Sequence, residues 1–213
     1  MNRRSLSQLL ATLAVAAMAL AAVGPARAAD ETPDVMIKRL SEDVLGAIKA
    51  DTTLQSGDIS KVIALVDARI MPNVNFQRMT ASAVGPAWRQ ATPEQRQKLQ
   101  DEFKTLLVRT YSGALAQVND QSISVKPLRA DAADTEVIVR TEVRGRGDPI
   151  QLDYRLEKTP GQGSGWKIYN LNVLGVWLVE TYRSQFAQEI NAKGIDGLID
   201  TLVARNKSNA GKG

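Results

Sequence analysis

Thr135-Glu136-Val137-Ile138-Val139-Arg140-Thr141-Glu142-Val143 decides the fold class. Val137, Val139, Thr141 and Val143 alternate with Glu136, Ile138, Arg140 and Glu142, which is the period-two pattern of a strand with one dry face. The pattern returns from Ile150 to Leu156, where Ile150, Leu152, Tyr154 and Leu156 alternate with Gln151, Asp153 and Arg155. Arg144-Gly145-Arg146-Gly147-Asp148-Pro149 is the loop between them, so the two strands are antiparallel. Upstream, Ile123 and Val125 open a shorter strand that Pro127 limits. Downstream, a turn from Pro160 to Gly165 leads into a strand through Trp166-Lys167-Ile168-Tyr169-Asn170.

On either side of this meander the period is helical. Ile37, Leu40, Val44 and Ile48 mark a helix from Asp34 to about Lys49. A second is predicted from Ile59 to Ile70, capped by Asp58 and stopped by Pro72. A third spans Asn75 to Trp88, broken at Gly85-Pro86. The clearest start is Thr92-Pro93-Glu94-Gln95, with an N-cap hydroxyl, Pro at N1 and Gln at N3. The helix it opens carries Leu99, Phe103, Leu106, Thr110 and Ala114 on one face, widened by Leu107 and Tyr111, and should end near Gln117. After the last strand, Gly175-Val176 enters an amphipathic helix through Tyr182-Arg183-Ser184-Gln185-Phe186, and Lys193-Gly194-Ile195-Asp196-Gly197-Leu198 opens a closing helix. The expected architecture is α+β: a curved antiparallel sheet of about four strands packed against a layer of helices from both ends of the chain.

The first 28 residues read as a secretory signal: Arg3 and Arg4, an apolar run from Leu9 to Val23, and Ala26-Arg27-Ala28. Cleavage is expected after Ala28, giving an exported, periplasmic protein. Removing Arg3, Arg4 and Arg27 and no acid lowers the formal charge from +4 to +1. The basic excess thus belongs mostly to the export signal and does not argue for nucleic acid. Residues 29–206 form a single domain, and Lys207 to Gly213 read as a disordered tail. The chain has no Cys and no His. That removes thiolate and imidazole nucleophiles, His bases, thiolate or imidazole metal sites and redox pairs. No metal site and no cofactor are expected.

Arg140, Glu142, Asp153 and Arg155 could be offered as a catalytic acid-base cluster, but they lie on the polar phase of their strands, where cross-strand pairs are ordinary. The arginines of the Arg144-Gly-Arg-Gly loop lack a following helix N-terminus to make a phosphate cradle. Trp177 falls with Thr181, Ser184 and Gln188 on the polar side of the last long helix. Its indole is expected to pack on the sheet end, with a membrane or partner contact as the alternative. Valine dominates the strand face, and three Phe and four Tyr provide little bulk to plug a concave sheet.

The Trp-Lys-Ile-Tyr strand, the Gly-Val helix entry, Tyr182-Arg183 with Phe186, the Lys-Gly-Ile-Asp-Gly-Leu ending and the Thr-Pro-Glu-Gln helix start together resemble the periplasmic phospholipid-binding component of the Mla (toluene-tolerance) lipid transport system. Asn170 stands where that family usually has Asp, and Trp177 where a small hydroxyl residue is common. The resemblance implies a carrier, not an enzyme, with phospholipid as cargo rather than cofactor. It implies a monomer that comes transiently near membranes, exchanging lipid with an inner-membrane ABC transporter complex and an outer-membrane lipoprotein complex to maintain outer-membrane asymmetry. Strand phase and family together give a lipid-binding lining of Val137, Val139, Leu152 and Tyr154 from the sheet. Phe76, Met79, Phe103, Leu107, Tyr111 and Val176 face them from the helices. The opposite sheet face is the alternative lining. The competing functions are a His-free carboxylate enzyme on a cone-shaped sheet and a periplasmic interaction subunit with a filled core.

Overall fold

The computed structural model describes residues 31–115, 118, 120–131 and 133–210. The expected signal segment lies outside the described residues. Helix α1 spans Pro33–Ala50 and turns Met36, Ile37 and Leu40 inward. A four-residue helix, α2 (Thr52–Gln55), leads to α3 (Ile59–Leu65), where the Asp58 carboxylate accepts the amides of Ser60 and Lys61 at 2.9 and 3.2 Å, as an N-cap does. Regular α-helix was expected through Ile70 but stops at Leu65. Val66–Ile70 is a π turn and Met71–Asn73 a 3-10 turn. Pro72 has no N–H to return to the preceding turn, so the backbone bonds re-form at other spacings before it.

Asn75 caps α4 (Phe76–Val84) by accepting the Arg78 amide at 3.0 Å, and Gly85–Arg89 is a separate 3-10 turn. The start of α5 (Pro93–Leu115) is a reciprocal capping box: Thr92 N–H donates to the Gln95 side chain at 2.9 Å and Gln95 N–H to the Thr92 hydroxyl at 3.2 Å. Leu99, Phe103 and Leu106 are buried on α5, but Thr110, expected on the same face, is exposed. Val108 is buried instead, because α3 covers a second side of the helix.

The sheet has five strands rather than four: β1 (Ser122–Val125), β2 (Glu136–Arg144), β3 (Ile150–Lys158), β4 (Trp166–Val173) and the two-residue β5 (Val176–Trp177). They lie in sequence order, each antiparallel to the next, in an open sheet. The pairings Val137 with Leu156, Val139 with Tyr154 and Thr141 with Leu152 put the two alternating sets on one face, as the pattern predicts. A bulge in β4 opposite Arg155 and Leu156 bends the sheet there. Helix α6 runs from Leu178 to Ala210 and kinks at Gly194 (φ 73°, ψ −172°), a conformation in which a side chain would be strained. It continues through Lys207 to Ala210, past the point where composition turns tail-like. Asn206 is tied down there, donating to the Glu102 carbonyl at 2.9 Å and to its carboxylate at 2.7 Å.

All the long helices lie on the same face of the sheet. Met36, Ile37 and Leu40 of α1 pack with Val137, Val139, Leu156, Trp166 and Ile168. The helices α4, α5 and α6 form a second cluster around Phe103, Tyr182 and Phe186, against which Leu171 and Val173 of β4 pack. A third, around Ile48, Val62 and Val108, joins α1, α3 and α5.

Candidate functional site

The helices grip the sheet at its two sides. Helix α1 packs on β1 and β2, and α4 and α6 pack on β4. Between these two supports, Leu152 of the central strand β3 is only half-buried on the inner face, whereas its neighbour Tyr154 packs into the cluster beneath α1. Burial therefore changes along each strand. At the end covered by α1, Val137, Val139, Leu156, Trp166 and Ile168 are buried. Toward the other end Val143, Leu152, Leu171 and Val173 are only half-buried, and Ile150 and Val176 are exposed. The inner apolar face is closed at one end and open at the other.

The helices facing this open half are also incompletely covered. Phe76, Leu107 and Tyr111 are half-buried and pack against the edge of the helical cluster. Burial holds the Tyr111 and Tyr154 phenols above their ordinary pKa, so both stay neutral at physiological pH. A half-buried apolar surface edged by neutral phenols is suited to acyl chains.

The ten residues expected to line an apolar site all lie on the inner side, but the structure divides them. Leu152, Phe76, Leu107 and Tyr111 are half-buried on the open side, whereas Tyr154 packs into the cluster beneath α1. Val137 and Val139 lie beneath α1, in a different cluster from Met79 and Phe103. Phe103 is fully buried, its ring centroid 5.8 Å from Phe76, 4.9 Å from Tyr182 and 5.2 Å from Phe186. That ring cluster is packed core. Val176, expected on a helix, belongs to β5 at the open end. Leu171 and Val173, absent from the expected lining, point the same way as Tyr154 and Leu152. The β4 bulge shifts their phase relative to Trp166 and Ile168, which is why simple alternation missed them.

The outer face of the sheet is polar. Arg78 pairs with Glu136 at 2.6 Å and also with Glu157, and its guanidinium lies 3.7 Å from the Tyr169 ring centre. Tyr169 donates to Glu136 at 2.9 Å, and the hydrogen bonds from Arg78 and Tyr169 hold the Glu136 carboxyl below its usual range. Trp177 was expected to begin the last helix. It stands instead in β5, opposite Asn172, with the Arg155 guanidinium 4.0 Å from its ring centre. The two-residue turn after β4 makes a hairpin before the helix starts, which turns the indole onto the outer face. Two open clefts of about 560 and 320 Å³ lie on this side, both flanked by Arg140. Glu142 pairs there with Lys126 at 2.6 Å and Arg144 at 2.8 Å. Asp153 is buried between the strands carrying Arg140 and Asn172, not solvated as its phase suggested, and it accepts from Gln151 at 2.8 Å. The Arg78 pairs tie α4 to β2 and β3, and the Lys126–Glu142 pair ties the chain after β1 to β2. Among the described residues, no three His, Cys, Asp or Glu side chains are grouped to hold a metal.

An α+β chain with an inner apolar face open at one end matches a known family. The model of the MlaC protein family covers residues 38–204. The chain belongs to the MlaC family. Within that family it is similar to the toluene tolerance protein ttg2D of Pseudomonas putida, 28% identical over 79% of this chain and 77% of the relative. It is also similar to the intermembrane phospholipid transport system binding protein MlaC of Haemophilus influenzae, 24% identical over 82% of each. A solved structure of a phospholipid-binding protein from Ralstonia solanacearum, in complex with a phospholipid, superposes with a TM-score of 0.80. It is 48% identical and covers 83% of this chain and 98% of its own. Among the described residues no helix is long and apolar enough to cross a membrane.

Proposed function

We propose that the protein is a periplasmic phospholipid carrier. It holds acyl chains against the inner face of the sheet, in the half left open between α1 and the α4–α6 group. It moves lipid between an inner-membrane ABC transporter complex and an outer-membrane lipoprotein complex. The observation that carries the reading is the run of half-buried apolar side chains Leu152, Leu171 and Val173 at the open end of the sheet, Leu171 and Val173 packing against the same helical cluster as Phe76, Leu107 and Tyr111. The phospholipid held by the Ralstonia relative supports it.

The energetics set the design. Exposing about 30 methylenes to water costs on the order of 24 kcal/mol, at roughly 0.8 kcal/mol each. A carrier must cover the chains, but it need only match the bilayer to release them. No covalent step is required, and the paired charges of the outer face offer none. Protein purified without detergent is expected to yield phospholipid on organic extraction. Extraction that yields none, with no uptake after incubation with liposomes, would put the filled-core interaction subunit ahead.

A further inference from the structure

Leu174 and Gly175 form the two-residue turn between β4 and β5, with φ of 51° and 87°. Positive φ at both positions is the requirement of a type I′ hairpin turn, in which Asn-Gly is the favoured pair. Leu174 is the one non-glycine residue with positive φ among the described residues, and a leucine there is strained. Its side chain gains no burial in return, being 65% exposed. Beside it the Leu174 amide donates to the Gln151 carbonyl at 3.0 Å, which sets the turn next to Ile150 at the start of β3. Ile150 is 43% exposed and Val176 52%. These three side chains stand at the open end of the inner face, continuous through Leu152 and Val173 with the surface described above.

We propose that this hairpin tip is a bilayer-docking element, inserting Leu174 and Ile150 into the headgroup boundary so that lipid passes between membrane and carrier without crossing water. The inference rests on the carrier reading, since the patch adjoins the surface assigned to acyl chains. The charges at this end balance, three cations against three anions. Arg144 and Lys126 share Glu142 at 2.8 and 2.6 Å, Arg146 lies 3.3 Å from Asp120, and Asp148 is in the same loop. Docking therefore depends on apolar insertion and needs no anionic lipid.

The test uses delipidated full-length mature protein and the variants Leu174→Asn and Ile150→Thr. Short-chain phosphatidylcholine, presented as monomers, reads the carrier site alone. Uptake of long-chain lipid from phosphatidylcholine vesicles reads docking. Leu174→Asn supplies the favoured turn residue, so it should fold with an unchanged or higher melting temperature. Leu174→Asn should bind the monomeric lipid within about twofold of the parent, and both variants should take lipid from vesicles about tenfold more slowly. If the parent binds no monomeric lipid, the carrier reading itself falls. If the parent binds it but both variants match the parent with vesicles, the tip serves a protein partner or nothing, and bilayer docking is overturned. A Leu174→Asn protein that melts lower or loses monomeric lipid binding would make Leu174 structural, overturning it equally.

Discussion

Asn170, buried within β4, donates from Nδ2 to the Glu180 carboxylate in the first turn of α6 at 2.8 Å, while its Oδ1 accepts the amide of Val179 at 3.1 Å. The same oxygen accepts from Leu171 at 2.9 Å. One strand side chain thus caps the helix that follows it and fixes the orientation of an acid that also pairs with Arg155. An ionised Asp at this position could accept both amides but could not donate to Glu180, whereas the Asn amide serves both partners at once.

Asn170→Asp should cost about 1–3 kcal/mol at neutral pH, because the donor to Glu180 is replaced by a second carboxylate. In the parent, burial opposes the Glu180 charge, but the hydrogen bonds from Asn170 and Arg155 outweigh it and lower its pKa. Its stabilising contribution is therefore present above the ordinary glutamate pKa and lost only as pH falls through the lowered value. In the variant, one carboxyl of the pair should titrate higher than normal, so its deficit should shrink as pH falls into the carboxylate range. Melting curves from pH 7 down to pH 4 check this; a deficit that stays constant would contradict it.

Leu152→Glu and Val139→Glu should separate the open half of the inner face from the closed half. Leu152 is half-buried, so a carboxylate there can reach water; the variant should fold and carry no phospholipid. Val139 is 1% exposed beneath α1, so the same change should cost more than about 4 kcal/mol and leave little folded protein. Circular dichroism melts beside lipid extraction decide the matter. Equal unfolding of both would mean that β3 is as tightly covered as β2.

Trp177→Ser removes an indole stacked on Arg155 at the outer face. It should lower stability by about 0.5–1 kcal/mol, the size of an exposed cation–π contact, and leave phospholipid binding unchanged. A variant that melts like the parent but no longer binds lipid would place the indole in the cargo site.

Exported protein should have the intact mass of a chain beginning at Ala29. Membrane-bound material retaining residues 1–28 would contradict cleavage and the proposed periplasmic carrier.

The sequence determined the periodicities and the local starts. Alternation in β2 and β3 chose the inner face because neighbouring side chains on a strand must point opposite ways, and Asp58 and Thr92-Gln95 announced their helices because a cap needs only residues a few positions away. Nothing local could say how far α1 reaches along the sheet, so Val139 and Leu152, equal in pattern, end up under a helix and beside a gap. Nor could the pattern foresee the β4 bulge that turns Leu171 and Val173 inward, or the two-residue hairpin that moves Trp177 from helix to strand. Those outcomes depend on which surfaces meet across the fold. A period specifies the face of an element; only packing against other elements specifies what covers it.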